Sequence, residues 1–220
     1  MLDTIFMMKN IPLYVEAAKL TVVIGIIGIL LSLLVGLVIA FIQYFRIPIL
    51  RQIASVYIEL SRNTPLLVQL FFLYFGLPKA GISISAEGCA ILGLCFLGGS
   101  YMAEAFRSGI ESVERVQEES ALALGFNRRQ VIRYVVLPQA LSVSIPALFA
   151  NKIFLIKETS VLSVVALADL MYIAKDLIGL YYKTDEALLL LVISYLIILL
   201  PFSIVAAVLE RRLRYAGFGN

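Results

Sequence analysis

Long apolar runs separated by short polar stretches dominate this chain of 220 residues. The clearest run extends from Leu20 to Phe45 without a charged side chain, and about 20 apolar residues suffice for a helix to cross a bilayer. Similar runs along the whole chain predict about five membrane-spanning helices in one domain. Their predicted bounds are residues 13–45, 55–77, 87–108, 137–156 and 187–209 of the domain 1–220. The pattern therefore predicts an all-α integral membrane protein.

Two of the predicted spans contain residues that do not suit a continuous lipid-facing helix. The second span is interrupted in its first half by Glu59, Arg62, Asn63 and Pro65. The fourth span ends in the polar segment 157–160, and the apolar segment 161–168 that follows is too short to cross the bilayer. We expect that segment to be re-entrant or interfacial. Because irregular backbone at membrane depth is tolerated where it lines a cavity, both interruptions are candidates for a site.

Small residues recur every four positions in the first span, at Gly28, Ser32 and Gly36. Such a stripe lets a second helix approach closely. Glycine is also common in membrane helices that face lipid, so the spacing alone leaves incidental placement open.

Composition excludes several classes of protein. Hydrophobic residues make up 61% of the chain and charged residues 15%, and the mean hydropathy is +0.98, which does not suit a soluble domain. The chain has no histidine, and Cys89 and Cys95 have no metal-ligand spacing, so we expect no metal site and no histidine base. No nucleophile, base and orienting group cluster in the sequence, which argues against an enzyme. No Walker-type phosphate loop occurs, so nucleotide binding by this chain is not expected either.

Basic residues concentrate in alternate loops. In a five-span topology these loops all lie on one side of the membrane. By the positive-inside rule that side is the cytoplasm, which places the N-terminus outside and the C-terminus inside. The residues on the predicted cytoplasmic side are Arg46, Arg51, Arg107, Arg115, Arg128, Arg129, Arg133, Arg211, Arg212 and Arg214. The opposite loops carry fewer basic residues, all of them lysine.

The polar stretch 109–133 between the third and fourth spans has the pattern of a short helix-turn-helix. Gly125 suits a left-handed helix terminus, and Asn127 suits the cap of a second helix. The first helix carries a thin apolar face formed by Val113, Val116, Ala121 and Leu124. Periodicity alone is equally compatible with an amphipathic helix resting on lipid headgroups.

Two motifs resemble those of a known family. Glu119-Ser120-Ala121, followed by Gly125 and Leu137-Pro138, resembles the EAA loop of permease subunits of binding-protein-dependent ABC importers. Ser120 stands where alanine is typical, and Val116 stands where glycine is frequent. The segment from Arg62 to Gln69, R-N-T-P-L-L-V-Q, is similar to the R-G-T-P-L-L-V-Q signature of the polar amino-acid branch, with Asn63 in place of glycine. Further matching segments are residues 101–104, 107–110, 137–140 and 157–160.

The resemblance implies a fold, a location and partners. It implies the five-span fold of type I ABC importer permeases, called MetI-like, in a bacterial cytoplasmic (inner) membrane. It also implies a separate ATPase that binds ATP and Mg, a second permease chain in a homo- or heterodimer, an extracytoplasmic amino-acid-binding protein and contact with lipid, with no nucleic acid. In that family the loop forms a coupling helix that docks on the ATPase. Its implied coupling residues are Glu118, Glu119, Ser120, Ala121, Leu124 and Gly125.

Charged residues at membrane depth are the candidates for a substrate site, although they also form ion pairs or reach to the interface. An amino acid offers one carboxylate and one ammonium. Arg62, Lys157, Thr64 and Ser160 suit the carboxylate, with Asn63 or Thr64 capping a half-helix that starts near Pro65, and Glu104 and Glu158 suit a cationic group. The candidate substrate-binding residues are Arg62, Asn63, Thr64, Glu104, Lys157, Glu158, Thr159 and Ser160. Two acidic residues favour arginine, lysine or histidine as the substrate.

Two other hypotheses remain open. One keeps the importer and changes the substrate to neutral or acidic amino acids or opines, which uptake competition separates. The other is a membrane scaffold or sensor that recruits a soluble partner and transports nothing, for which the absence of a co-encoded ATPase is the discriminating observation.

Overall fold

A computed structural model describes the backbone of residues 2–217 and the side chains of residues 2–209. Within that range the chain is helical and contains no strand, as the apolar pattern predicts. Four helical stretches of the described residues are long and apolar enough to cross a membrane. These are Thr4–Tyr44, Ala86–Glu111, Arg128–Val165 and Thr184–Leu209. The side chains of Arg211, Arg212 and Arg214, used above to predict orientation, lie outside the described residues.

The first helix, α1 (Thr4–Tyr44), starts earlier than the predicted span. The side chain of Asp3 caps it by accepting a hydrogen bond from the N–H of Phe6 at 3.0 Å. Glu16 and Lys19 are exposed and paired with each other at 2.7 Å. Hydropathy marks where the apolar part of a helix lies, whereas capping decides where the helix begins, and this explains the difference.

The region predicted as the second span is two helical pieces. α2 covers Leu50–Arg62 and α3 covers Leu66–Phe71, after which a π-helical turn (Phe72–Gly76) and a 3-10 turn (Leu77–Ala80) follow. The break falls at Asn63–Pro65, because proline has no N–H to continue the helix and disfavours the helical conformation in the residue before it.

The helix α4 (Ala86–Glu111) packs along α1 through the stripe of small residues. A Cβ on Gly28 would lie 2.9 Å from Leu94, and a Cβ on Gly36 would lie 2.5 Å from the Cβ of Met102. Ser32 lies between them and donates a hydrogen bond to the carbonyl of Leu94 at 3.1 Å. The interpretation of this stripe as a close helix contact is confirmed.

The predicted helix-turn-helix is confirmed as α5 (Arg115–Ala123) and the short α6 (Arg128–Val131). Gly125 adopts φ +91°, in the left-handed region, and ends the turn. Asn127 caps α6 in a reciprocal pair with Gln130, each side chain accepting from the other's backbone N–H.

The second interruption predicted from the sequence, at residues 157–160, lies at the end of a long helix in the centre of the bundle. A π-helical turn (Ile132–Val136) leads into α7 (Leu137–Glu158), which tightens into a 3-10 helix over Thr159–Val165 instead of continuing. α8 (Leu170–Tyr181) and α9 (Thr184–Gly217) complete the fold. One apolar core surrounds α4, and a second joins α8, α9 and the first half of α1, so α5 and α8 lie at opposite ends of the bundle.

Candidate functional site

The break between α2 and α3 borders a cavity of about 340 Å³. The α7–3-10 junction forms the facing wall, so the two interruptions seen in the sequence meet in space. The lining residues are Arg62, Asn63, Thr64, Pro65, Leu66, Leu67, Leu97, Tyr101, Phe154, Glu158 and Val161. This volume lies at the lower end of the range of about 300–1,000 Å³ that is typical of small-molecule pockets, which suits a small ligand.

Arg62 supplies the positive charge of this cavity. Its guanidinium lies 5.2 Å from the ring centre of Tyr101, and the Tyr101 ring is itself 5.2 Å from that of Phe154. Stacking on an aromatic face holds the planar guanidinium while its edge remains free for a partner. Arg62 is half-exposed, and its contact with Glu104, at 3.5 Å, is long. A group in the cavity can therefore reach it.

Glu104 lies behind Arg62, is paired with Arg107 and does not line the cavity. Arg107 holds it with two hydrogen bonds, from Nε at 3.0 Å and from Nη2 at 2.7 Å, and also contacts Glu111 at 2.6 Å. The spacing i, i+3 on one helix predicts the Glu104–Arg107 pair, a signal that the sequence interpretation did not use. Glu104 is therefore paired within the protein outside the cavity lining, and its assignment to substrate binding stays a prediction.

Glu158 supplies the negative charge of the cavity. It lies in the last turn of α7, is partly buried, and forms no ion pair with any described residue. Its neighbours in sequence lie elsewhere: Lys157 is exposed outside the cavity, and the hydroxyl of Thr159 is buried and donates to the carbonyl of Ile156 at 2.6 Å. Ser160 is partly buried but does not line the cavity.

The structure thus brings together Arg62, Asn63, Thr64 and Glu158 from the predicted set, and leaves Glu104, Lys157, Thr159 and Ser160 outside the lining. The sequence interpretation missed the aromatic wall of Tyr101 and Phe154. Tyr101 opens the matching segment 101–104, and its spacing of i, i+3 to Glu104 places it beside that residue on α4.

The helix α5 presents a second candidate surface, near the C-terminal end of α4. Arg107 and Glu111 line a larger cavity, of about 700 Å³, together with Glu118 and Glu119 of α5. A continuous series of ion pairs, Arg62–Glu104–Arg107–Glu111, therefore connects the first cavity with the surroundings of α5.

The apolar face predicted for α5 is divided in the structure. Val113 and Ala121 are buried against α6 and α7, whereas Val116 is 64% exposed and Leu124 is 80% exposed. The prediction of one common face is wrong because Val113 precedes α5, Leu124 follows its last residue, and Val116 and Ala121 lie about 140° apart around the helix. Glu119 and Ser120 are exposed with Val116 and Leu124, which leaves a mixed apolar and acidic surface open to a partner.

Comparisons with known proteins match this architecture. The family model "Binding-protein-dependent transport system inner membrane component" matches residues 28–215. The chain is 36% identical over 206 residues to the glutamine transport system permease protein GlnP of Escherichia coli (strain K12), covering 93% of this chain and 94% of that one. It is 34% identical over 196 residues to the probable amino-acid ABC transporter permease protein PatM of Vibrio harveyi, covering 88% of each.

Solved structures agree. A crystal structure described as an amino acid ABC transporter with histidines superposes with a TM-score of 0.90 at 33% identity, covering 96% of this chain and 99% of that one. The inward-facing MetNI methionine ABC transporter superposes with a TM-score of 0.72 at 20% identity, covering 91% of this chain and 98% of that one, and shows the shared fold. The MetI-like type I fold predicted from the sequence is confirmed.

Proposed function

From the premise that this chain belongs to the family of inner-membrane components of binding-protein-dependent transport systems, we propose that it forms the membrane path of an importer for polar amino acids. The family makes it a multi-pass inner-membrane permease subunit of an ABC transporter, whose ATPase is a separate subunit, and not an enzyme. The substrate, the residues that bind it and the orientation of the chain belong to the proposal.

The observation that carries the proposal is the pairing of Arg62 and Glu158 across one cavity. A free amino acid bears a carboxylate and an ammonium at neighbouring atoms. The guanidinium of Arg62 suits the carboxylate, since such pairs bind through two parallel hydrogen bonds, and Glu158 suits the ammonium. Asn63 and Thr64 border the same space and supply polar contacts. We assign the carboxylate to Arg62 and not to the start of α3, because α3 has only the six residues Leu66–Phe71.

The charge balance of the cavity favours a neutral polar amino acid such as glutamine. Of the two acidic residues predicted to face the substrate, Glu104 is neutralised by Arg107, which leaves one carboxylate for one ammonium. The relatives named as glutamine permeases support this choice. An acidic side chain is disfavoured because Glu158 would face it.

A cationic amino acid is the second candidate, as the acidic residues of the sequence predict. It is favoured by the absence of an ion-pair partner for Glu158 among the described residues and by the structural neighbour described with histidines. In this case Glu158 binds the cationic side chain of arginine, lysine or histidine, and the α-ammonium is held by backbone carbonyls at the break.

The exposed surface of α5 is the proposed contact with the ATPase. We propose that Glu118, Glu119, Ser120, Leu124 and Gly125 dock on an ATPase that binds ATP and Mg, while Ala121 packs beneath them. This requires α5 on the cytoplasmic side, with the N-terminus outside and the C-terminus inside. A second permease chain and an extracytoplasmic binding protein complete the transporter. Labelling Gln117→Cys with an impermeant thiol reagent tests the orientation: reaction in intact cells overturns it, and reaction only after permeabilisation supports it.

The site is tested with Arg62→Gln and Glu158→Gln in transporter reconstituted with its ATPase and binding protein. Each variant removes one charge-assisted contact of about 1.5–3 kcal/mol, so the half-saturating substrate concentration is expected to rise by about 10- to 100-fold. Glu87→Gln, an exposed carboxylate at the start of α4, is the matched control and is expected to match wild type. If both site variants behave like this control, the cavity is not the binding site.

The cargo is tested by competition. Uptake of labelled glutamine is measured against unlabelled arginine, lysine, histidine and glutamate. Weak competition by the cationic amino acids supports the neutral substrate, whereas strong competition by arginine supports the second candidate. Competition by glutamate at least as strong as that by unlabelled glutamine contradicts both assignments.

A further inference from the structure

The break that carries Arg62 depends on a side chain outside the cavity. In a continuous helix the carbonyl of Ser61 would accept from the N–H of residue 65, but residue 65 is proline and has no N–H. The side-chain amide of Gln69 donates to this carbonyl at 3.2 Å. Gln69 therefore supplies the donor that the proline removes.

The same amide holds the other side of the break. The N–H of Val68, which would reach the carbonyl of Thr64 in a continuous helix, bonds to the carbonyl of Pro65 at 3.0 Å instead. The amide of Gln69 donates to the carbonyl of Thr64 at 3.0 Å. One NH₂ group thus connects the last turn of α2 with the residue that precedes Pro65.

Gln69 is a buried residue whose side chain donates hydrogen bonds and accepts none from the described residues. Only 9% of its surface is exposed, and its Oε1 has no hydrogen-bond partner among the described residues. Both hydrogen bonds of this uncharged side chain are donated, and its acceptor oxygen is unused. The side chain therefore serves as a hydrogen-bond donor at this position. The surrounding structure is anchored, because the Ser61 hydroxyl is hydrogen-bonded to the carbonyl of Phe96 and to Ser100 of α4.

We propose that Gln69 is a positioning residue that sets the conformation of the Ser61–Thr64 backbone and so aims Arg62, Asn63 and Thr64 into the cavity. This inference rests on the proposed function, because it assigns Gln69 to the same substrate site. Gln69 touches no substrate itself and does not line that cavity. Loss of its two donors frees the break to relax and lowers the affinity for substrate, while the packing of the bundle remains.

Two substitutions separate donation from space-filling. Gln69→Met keeps the length and volume and removes the donors. Gln69→Glu keeps the shape and replaces the donors with oxygens that face two carbonyl oxygens. If Gln69 acts by donation, binding falls in the order wild type, Gln69→Met, Gln69→Glu. If it only fills space, Gln69→Met is close to wild type, whereas the buried carboxylate of Gln69→Glu is unfavourable in either case. Ser32→Ala is the matched control, since it removes a buried hydrogen bond to a carbonyl of α4 away from the cavity.

The experiment measures uptake of labelled glutamine and of labelled arginine, and basal ATPase activity, in transporter reconstituted with its ATPase and binding protein. The half-saturating concentration is expected to rise about tenfold for Gln69→Met and further for Gln69→Glu, with basal ATPase activity within about twofold of wild type. Wild-type values for Gln69→Met overturn the inference, whatever the result for Gln69→Glu. Failure of both variants to assemble while Ser32→Ala assembles assigns Gln69 to folding and also overturns it. If the wild type takes up neither glutamine nor arginine, the result contradicts the proposed function instead.

Discussion

Replacing Asp169 with asparagine tests the energetic consequence of a buried carboxyl outside the spanning helices. Asp169 caps α8 by accepting from the N–H of Tyr172 at 2.8 Å, while its Oδ2 is buried without a hydrogen-bond partner among the described residues. Burial raises the pKa of Asp169 from 3.8 to about 6, and the hydrogen bond from Tyr172 and the charge of Lys175 offset only part of this effect. Asparagine keeps the capping oxygen and removes the charge.

The sign of the effect follows from the raised pKa. The folded state binds the proton of Asp169 more tightly than the unfolded chain, so the contribution of this carboxyl to stability is greatest below about pH 4 and is lost as the pH rises through about 6. The difference between 3.8 and about 6 corresponds to roughly 3 kcal/mol at neutral pH. The asparagine variant does not titrate at this position, so its stability relative to wild type rises by roughly that amount between pH 4 and pH 8.

The assay is thermal or denaturant unfolding of detergent-purified protein at several pH values, with wild type and Asp169→Asn measured side by side. Groups that titrate in both proteins cancel in the difference, and any constant cost of the unpartnered asparagine NH₂ cancels when that difference is compared between pH values. Asp169→Ala, which loses the cap as well, is expected to show the same pH trend from a lower starting stability. A difference between wild type and Asp169→Asn that stays constant within about 1 kcal/mol from pH 4 to pH 8 would refute a raised pKa at this site.

Two further predictions concern packing and coupling. Gly36→Ala places a methyl group 2.5 Å from the Cβ of Met102 and close to the backbone of α4, so α1 and α4 must separate. Unfolding measurements are expected to show a loss of about 1–3 kcal/mol, and none for Gly179→Ala, where no atom beyond the chain neighbours and the backbone of its own helix lies within 4 Å. Wild-type stability of Gly36→Ala would contradict the close contact. Leu124→Asp, at the exposed end of α5, is expected to weaken ATPase binding in a pull-down by at least about tenfold without changing permease stability, since truncating a central interface residue costs about 2 kcal/mol or more. Leu180→Asp, also at an exposed position but at the opposite end of the bundle, is expected to leave ATPase binding unchanged, and equal effects of the two variants would remove α5 from the interface.

Features that depend on a few neighbouring residues could be predicted well. Gly125 and Asn127 defined the turn and cap between α5 and α6, and the break at Pro65 lies where the missing N–H requires it. The small-residue stripe of α1 predicted a close helix contact, although the partner helix could not be identified from the stripe. In each of these cases the cause lies within a few positions of its effect, and the residue types alone contain it.

The composition of the cavity could be predicted only in part. Arg62 and Glu158 are 96 positions apart, and each was chosen because a charge at membrane depth needs a partner or a cavity. The same argument applied equally to Glu104 and Lys157, and it failed to distinguish them because the rotation of a helix about its axis cannot be read from hydropathy. In the structure Arg107 pairs with Glu104, and neither Glu104 nor Lys157 lines the cavity.

By itself, the sequence determined that the chain is helical and membrane-embedded, where its helices break, and which loop resembles a coupling helix, because hydropathy, capping and proline act locally. Only the tertiary structure decided that the two breaks face each other, that Glu158 is the carboxylate that remains open, and that Gln69 bridges the carbonyls around Pro65. These outcomes depend on distances between segments far apart in the chain, which are set by how the helices pack and rotate against one another.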